Sequence, residues 1–243
     1  MNTVAGDDVI NIAESLLDQT ISGTSQDLVD GATVIVEVNG QSYTGTVNSN
    51  SWSVVVPTVD VQAFDSTENV TVNASDSAGN AAIPVSVIVT TVLTAPSLTI
   101  DAIAGDDVIS IAESLLDQTI SGTSAGLDDG QIVTVNVNGI DYTSPVSANN
   151  WSVLVPSTDI QAFGPVETVT STADDTAGNP ATPATVDVVT DTTAPTLVFD
   201  AITGDDRINA AEAASDITVS GTSLGLLDGE TVLVSLNLSL IHI

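Results

Sequence analysis

The sequence predicts an all-β chain built from tandem two-sheet sandwiches. Short runs in which apolar and polar residues alternate with period two indicate half-buried strands, and turn-forming residues separate these runs. The whole pattern then returns: Trp52 and Trp151 occupy equivalent places 99 positions apart, as do Phe64 and Phe163. A period of this size indicates an array of similar domains.

The repeat register divides the chain into copies. Copy 1 spans residues 1–94, copy 2 spans 95–193 and copy 3 spans 194–237, and copies 1 and 2 agree at 20 of 21 positions across residues 5–25. In this register copy 1 lacks the opening strand and copy 3 stops at about its third strand, so we expect the first and last copies to be incomplete. Residues 238–243, which include the only histidine, leave the register. We interpret this tail as a sequencing or assembly artefact and exclude it from the fold prediction.

Copy 2 shows the full set of predicted strands. Asn138-Gly139 lies between two alternating runs and predicts a tight hairpin, because both turn positions require a positive φ. The predicted strands are 98–103, 119–124, 132–138, 142–146, 151–155, 166–173 and 182–189. Seven strands in about 100 residues are typical of an immunoglobulin-like sandwich.

The aromatic residues have structural and functional interpretations. Trp52 and Trp151 could stack on sugars, but each shares its face with alternating valines, which favours core packing. Phe64 and Phe163 follow a Gln-Ala pair in a connection predicted to form one helical turn, and we expect them to close one end of the sandwich.

The composition excludes several partners. The chain has 32 acidic residues against one basic residue and a net charge of −31, so nucleic acid and anionic membranes would repel it. Hydrophobic residues make up 42%, enough to fold, yet no apolar run is long enough to insert into a membrane. The absence of cysteine fits a cytosolic or an exported protein. No signal peptide is visible at Met1, so export would use another signal or a more distant N-terminus.

The segment Gly-Asp-Asp-x-Ile, present in all three copies, invites two interpretations. Asn11, Ser110 and Asn209 each precede a glutamate by three residues, which predicts a capping box at a short helical turn. The capping box leaves the adjacent aspartates unexplained, and a hard cation with oxygen ligands would relieve their repulsion. The spacing does not match an EF-hand loop, so the calcium hypothesis depends on charge density and context.

Sandwich topology concentrates the acidic loops at the junctions between copies. The connection between the first and second strands, which holds Asp7, Asp8, Asp106 and Asp107, shares a pole with the linker to the next copy. The connections that hold Asp128, Asp129, Asp174 and Asp175 lie at the opposite pole, toward the preceding copy. We therefore expect acidic loops to face each other, with calcium between them.

Several motifs together resemble a known family. These are Asp191-Thr-Thr-Ala-Pro195, the Gly-Asp-Asp-x-Ile loop, Ser-Gly-Thr, Asp-Gly before the third strand, Trp-Ser-Val and Ala-Gly-Asn. The set resembles the tandem bacterial Ig-like repeats of giant RTX-type and biofilm-associated adhesins, and the resemblance covers residues 1–237. It implies an extracellular stalk on the bacterial cell surface, exported by type I secretion, stiffened by calcium between modules and serving cell adhesion or biofilm formation.

The resemblance and the charge pattern together give a set of candidate calcium ligands. The first linker has Val92 where the second has Asp191, so calcium at the first junction is absent or uses fewer ligands. The candidate metal ligands are Asp7, Asp8, Asp101, Asp106, Asp107, Asp174, Asp175, Asp191, Asp200, Asp205 and Asp206.

Two other functions compete with a stalk. An enzyme is disfavoured because the repeats contain no cysteine, lysine or in-register histidine, and the aspartate pairs lie in loops without an aromatic cleft. A module that recognises a glycan or a protein remains the alternative, since sandwich folds host many functions. Near-identical copies favour spacing, with neighbouring repeats of the same chain as the expected partners.

Overall fold

The computed structural model describes residues 1–235. It shows an almost entirely β chain in which copies 1 and 2 each enclose a separate hydrophobic core. The strands of copy 1 are β1 (Val9–Ile10), β2 (Gln19–Thr24), β3 (Thr33–Val38), β4 (Gln41–Thr46), β5 (Ser51–Val56), β6 (Thr67–Ala74) and β7 (Val85–Thr91). The strands of copy 2 are β8 (Ser97–Leu98), β9 (Val108–Ser110), β10 (Gln118–Ala125), β11 (Ile132–Val137), β12 (Ile140–Pro145), β13 (Asn150–Val155), β14 (Val166–Thr172) and β15 (Ala184–Asp191).

Each of these two cores lies between two sheets. In copy 2, one sheet has the order β13-β10-β8 and the other has the order β12-β11-β14-β15-β9. Copy 1 repeats this arrangement with β2-β5 facing β1-β7-β6-β3-β4. The predicted fold class, tandem immunoglobulin-like β-sandwiches, is therefore confirmed.

Two strand predictions differ from the structure. The first predicted strand, 98–103, is regular only at Ser97–Leu98, although Thr99 and Asp101 continue to donate backbone hydrogen bonds toward β10. β9, which pairs in parallel with β15, was not predicted from the sequence. The chain thus leaves the smaller sheet after Asp101, crosses at the Gly-Asp-Asp loop and joins the edge of the larger sheet.

The predicted packing of the aromatic residues is confirmed. The Trp52 and Trp151 side chains are only 6% and 3% exposed, which removes the interpretation of these indoles as sugar-stacking platforms. Phe64 and Phe163 are half-buried against the two cores and each follows a short α-helix. The short α-helices are Thr58–Val61, Ile111–Ser114 and Ser157–Ile160.

The predicted hairpin turn at Asn138 and Gly139 is also confirmed, because both residues have positive φ, 49° and 77°. This turn joins β11 to β12 in antiparallel register.

Copy 3 contributes one strand pair to the described residues. β16 (Thr196–Phe199) pairs antiparallel with β17 (Gly221–Leu224), and the large apolar side chains of both strands are exposed. The remaining helical turns are of the 3-10 type and span Glu14–Leu16, Ile202–Gly204 and Glu212–Ala214. The predicted off-register tail, 238–243, lies outside the described residues. None of the helices described for residues 1–235 is long and apolar enough to cross a membrane.

Candidate functional site at the repeat junctions

The second aspartate of each Gly-Asp-Asp loop closes a five-residue turn. In copy 2 the Asp107 amide donates to the Ile103 carbonyl (2.9 Å), while Asp107 Oδ1 accepts from the Ile103 amide (2.8 Å). Asp8 and Asp206 make the same pair of hydrogen bonds in their own copies. Asp8 and Asp107 therefore have a structural role that was not predicted from the sequence: they fix the crossover between the two sheets of their copies.

The first aspartate of each loop caps the backbone that follows. Oδ1 of Asp7, Asp106 and Asp205 accepts from the amide two residues further on, at 3.0 to 3.1 Å. These hydrogen bonds engage one oxygen of each carboxylate.

The predicted capping box is confirmed in all three copies. In copy 1, the Glu14 amide donates to Asn11 Oδ1 (2.9 Å) and the Asn11 amide donates to Glu14 Oε2 (3.0 Å). In copy 2, Ser110 and Glu113 form the equivalent pair, and hydrogen bonds from Ser110 lower the pKa of Glu113. The glutamate of this motif stabilises the turn at the pole that faces the next copy.

Copies 1 and 2 touch through these loops. The Asn11 side chain donates to the Ala177 carbonyl (3.1 Å), and the Ile12 amide donates to Asn179 Oδ1 (2.7 Å). Asn179 Nδ2 donates in turn to the Val92 carbonyl (2.8 Å). The connection between β14 and β15 therefore contacts the pole of copy 1 that the predicted topology assigned to it.

The remaining candidate ligands are distributed along the sandwich. Asp101 Oδ2 accepts from Ser121 and Asp200 Oδ2 accepts from Ser220, each at 2.7 Å, so both extend the pairing of the opening strand, with β10 in copy 2 and with β17 in copy 3. Asp174 is exposed, and its carbonyl accepts from Gln131.

Asp175 and Asp191 lie at opposite poles of copy 2, Asp175 toward copy 1 and Asp191 toward copy 3. The Asp175 carboxylate turns back onto its own loop, where it accepts from the amides of Ala177 and Asn179. Asp191 was predicted to lie in the linker, but it is the last residue of β15 and pairs with Ser110.

Within residues 1–235, no three acidic, histidine or cysteine side chains converge in a way that could hold a metal ion. A calcium ion at these loops would need additional ligands such as backbone carbonyls, asparagine side chains or water, which calcium accepts. Carboxylate oxygens are ligands that suit calcium. In this structure one oxygen of each loop carboxylate already accepts a hydrogen bond from a backbone amide.

The sequence analysis missed Asn179 as a junction residue. The Ala-Gly-Asn motif entered the prediction through the family resemblance, and no partner was assigned to it. Its recurrence in both copies after an aspartate was the available signal, but the sequence alone did not show what lies opposite.

Solved structures resemble the chain over most of its length. One is described as a Ca2+-stabilized adhesin that helps an Antarctic bacterium reach out and bind ice: it is 38% identical, with a TM-score of 0.52, over 92% of this chain and 57% of that one. Another comes from work on host cell surface retention of a 1.5-MDa bacterial ice-binding adhesin: it is 34% identical, with a TM-score of 0.51, over 92% of this chain and 74% of that one.

A more distant likeness supports the fold alone. The fibronectin(III)-like modules of Clostridium thermocellum CbhA are 15% identical, with a TM-score of 0.50, over 79% of this chain and 95% of theirs. No protein-family model and no curated protein matches the chain.

The adhesin relatives decide the family. Their identity to this chain exceeds 30%, and the chain covers 74% of the second. The relatives are domains of bacterial adhesins, which confirms at the level of the family the cell-surface location expected from the sequence. The chain therefore belongs to the family of immunoglobulin-like domains of bacterial surface adhesins.

Proposed function

We propose that the chain is a non-catalytic spacer segment of a large adhesin on the bacterial cell surface, where it supports cell adhesion or biofilm formation. The observation that carries this proposal is the presence of two sandwiches with the same sheet arrangement, each with its own core, that meet through loops at facing poles. In such an array each repeat contacts only its neighbours, so length grows by equal steps with the number of copies.

The charge of the chain supports an extended arrangement. A net charge of −31 with one basic residue makes every copy repel its neighbours and other chains. The repulsion acts over about 8 Å at physiological salt, which is enough to oppose folding of one copy back onto another. For the proposed spacer, attractive contacts between copies are then needed only at the poles.

Calcium is the second part of this proposal: it stiffens the junctions, most of all where Asp191 replaces Val92. Asp191 accepts from the Thr193 amide with one oxygen and lies beside Ser110, at the pole that faces copy 3. Bound calcium would supply positive charge between acidic loops. The support comes from the density of aspartates and from the relative described as Ca2+-stabilized.

Small-angle scattering of the full chain tests the spacer proposal. We expect an elongated particle in calcium and in chelator, with a larger maximum dimension in calcium. A compact particle with copies 1 and 2 side by side would contradict the proposal. Specific binding of the chain to glycans on an array would instead favour the alternative, a ligand-recognition module.

Calorimetric titration with calcium tests the metal proposal at named residues. Asp191→Asn should weaken calcium binding, and Val92→Asp should add affinity at the first junction, because each changes one carboxylate at a junction. Asp141→Asn is the matched control, since it removes the same charge from β12. Equal titrations for all three variants would remove this position from the calcium proposal.

A further inference from the structure

We propose that Asn179 fastens copy 2 onto copy 1 as a direct protein clamp that needs no cation. The clamp consists of the 175–179 turn of copy 2 and a socket on copy 1 formed by Asn11, Ile12 and Val92. Its partner is thus the capping-box turn and the end of the last strand of the preceding repeat.

The Asn179 side chain uses both ends of its amide across the junction. Oδ1 accepts from the Ile12 amide at 2.7 Å, and Nδ2 donates to the Val92 carbonyl at 2.8 Å. Nδ2 also donates to Asp175 Oδ2 at 2.9 Å within the turn. A buried primary amide is costly unless its donors and acceptor are paired, and here both donors and the acceptor have partners.

Burial at the same positions of the two copies shows that the junction covers these residues. Asn179 is 1% exposed, whereas its equivalent in copy 1, Asn80, is exposed. Ala177 is buried while Ala78 is exposed. On the socket side, Ile12 is half-buried while its equivalent, Ile111, is 43% exposed. Since the sequences are nearly the same, the contact between the copies accounts for the difference.

The turn that carries the clamp holds its shape without a partner. In the 76–80 turn of copy 1, Asp76 Oδ1 accepts from the Ala78 and Asn80 amides, and Oδ2 accepts from Asn80 Nδ2. These bonds lower the pKa of Asp76, and Asp175 makes the same set in copy 2. Docking therefore orders little new backbone, which reduces the entropic cost of the contact.

The socket explains the one difference between copies 1 and 2 across residues 5–25. Asn11 caps its turn with Oδ1 and still has Nδ2 to donate to Ala177 of the next copy. Ser110, at the same place in copy 2, has a single proton, and it donates that proton to Glu113 Oε2 at 2.6 Å. The junction that lacks a carboxylate at position 92 thus has an additional neutral hydrogen bond. Its contacts to Val92 use the backbone, so they do not depend on the side chain.

The clamp deepens the proposed spacer function, and its purpose rests on that function. The contacts of the clamp are tested separately from the spacer proposal. The probe is hydrogen exchange of the Ile12 amide in the full chain, followed by NMR. Asn179→Ala should lower the protection of Ile12 by about tenfold or more, because its acceptor is lost. Asn80→Ala removes the same side chain from the exposed turn of copy 1, and it should leave Ile12 unchanged.

Two further arms keep the inference falsifiable. Asn11→Ser, which copy 2 tolerates, should keep the capping box and lower Ile12 protection by less than Asn179→Ala does. A calcium chelator should leave Ile12 protection in the unsubstituted chain unchanged. Unchanged protection in Asn179→Ala, equal loss in Asn80→Ala, or loss on chelation would each overturn the clamp. Failure of the spacer proposal would instead appear as a compact particle in scattering.

Discussion

Gly122 offers a sharp test of the sandwich packing. A Cβ atom at Gly122 would lie 1.9 Å from the Thr99 carbonyl oxygen and 2.6 Å from Trp151 Cζ2. At Gly23, the equivalent residue of copy 1, a Cβ would lie 2.6 Å from Trp52 Cζ2, with no backbone atom closer than 3.0 Å. At both positions a side chain would collide with the indole, so glycine is required. At Gly122 a side chain would also collide with the backbone of the opening strand at Thr99.

The distances give the expected cost of an alanine at each glycine. Cβ contacts below 3.0 Å essentially never occur, so Gly122→Ala must displace the Thr99 carbonyl by about 1 Å. The Thr99 amide is itself hydrogen-bonded to Thr123, so this displacement strains the opening strand. Overpacking costs about 1–3 kcal/mol. We expect about 3 kcal/mol for Gly122→Ala, a decrease in Tm of about 12 °C or more, and about 1 kcal/mol for Gly23→Ala.

The assay uses the single tryptophan of each copy as a reporter. In a Trp52→Phe background, fluorescence follows the unfolding of copy 2, and in a Trp151→Phe background it follows copy 1. Each glycine variant is compared with its own background in thermal and urea melts. If Gly122→Ala lowered the free energy of unfolding no more than Gly23→Ala does, the placement of the opening strand over Gly122 would be refuted.

Tyrosine ionisation, the crossover aspartate Asp107 and added calcium give three further tests. Burial, and then the hydrogen bonds to Asp60 and Asp159, raise the pKa of Tyr43 and of Tyr142 to about 12. Unfolded tyrosine ionises near pH 10, so the two protonated tyrosines add to the stability of the fold below pH 10. This contribution is lost as the pH rises through 12. With no lysine or cysteine, a Tyr43→Phe/Tyr142→Phe chain should lose this alkaline transition in pH-dependent melts, and a retained transition would contradict the assignment. Asp107→Ala should destabilise copy 2 by about 1.5–3 kcal/mol in urea melts, because it leaves the buried Ile103 amide unpaired. Asp107→Asn keeps an acceptor oxygen and should retain most of the stability. Equal losses in the two variants would refute the role of Asp107 as the acceptor for Ile103. Calcium at a hundredfold excess over its Kd should raise the free energy of unfolding by about 2.7 kcal/mol per site, and magnesium by less. The Tm should rise accordingly in thermal melts, whereas superimposable melts with calcium and with chelator would exclude calcium stabilisation.

Strand pattern was sufficient to predict the sandwich because its signals are local. Period-two alternation and turn residues predicted seven of the eight strands of copy 2, and the buried indoles followed from shared strand faces. β9 was missed because three residues, Val108, Ile109 and Ser110, are too few to show alternation. Their pairing with β15 joins segments about 80 positions apart, and only the folded packing specifies it.

The candidate site was predictable in its location and less so in its chemistry. Sandwich topology alone predicts that the Gly-Asp-Asp loops and the 175–179 connection lie at facing poles. From the sequence the aspartates were expected to act mainly as repelling charges, whereas Asp8 and Asp107 turn one oxygen onto their own backbone. The direct contact is made by neutral groups of Ile12 and Asn179. A side chain whose partner lies 167 residues away gives no local signal in the sequence.

The central claim, that copies 1 and 2 form one stiff spacer, is tested most directly by residual dipolar couplings of backbone amides in the aligned full chain. Alignment tensors are fitted separately to the sandwich residues of copy 1 and of copy 2. We predict tensors of the same magnitude and orientation for the two copies, in calcium and in chelator, because the clamp at Asn179 is protein alone. Tensors of clearly different magnitude or orientation would show that the copies reorient independently, and would contradict the spacer account.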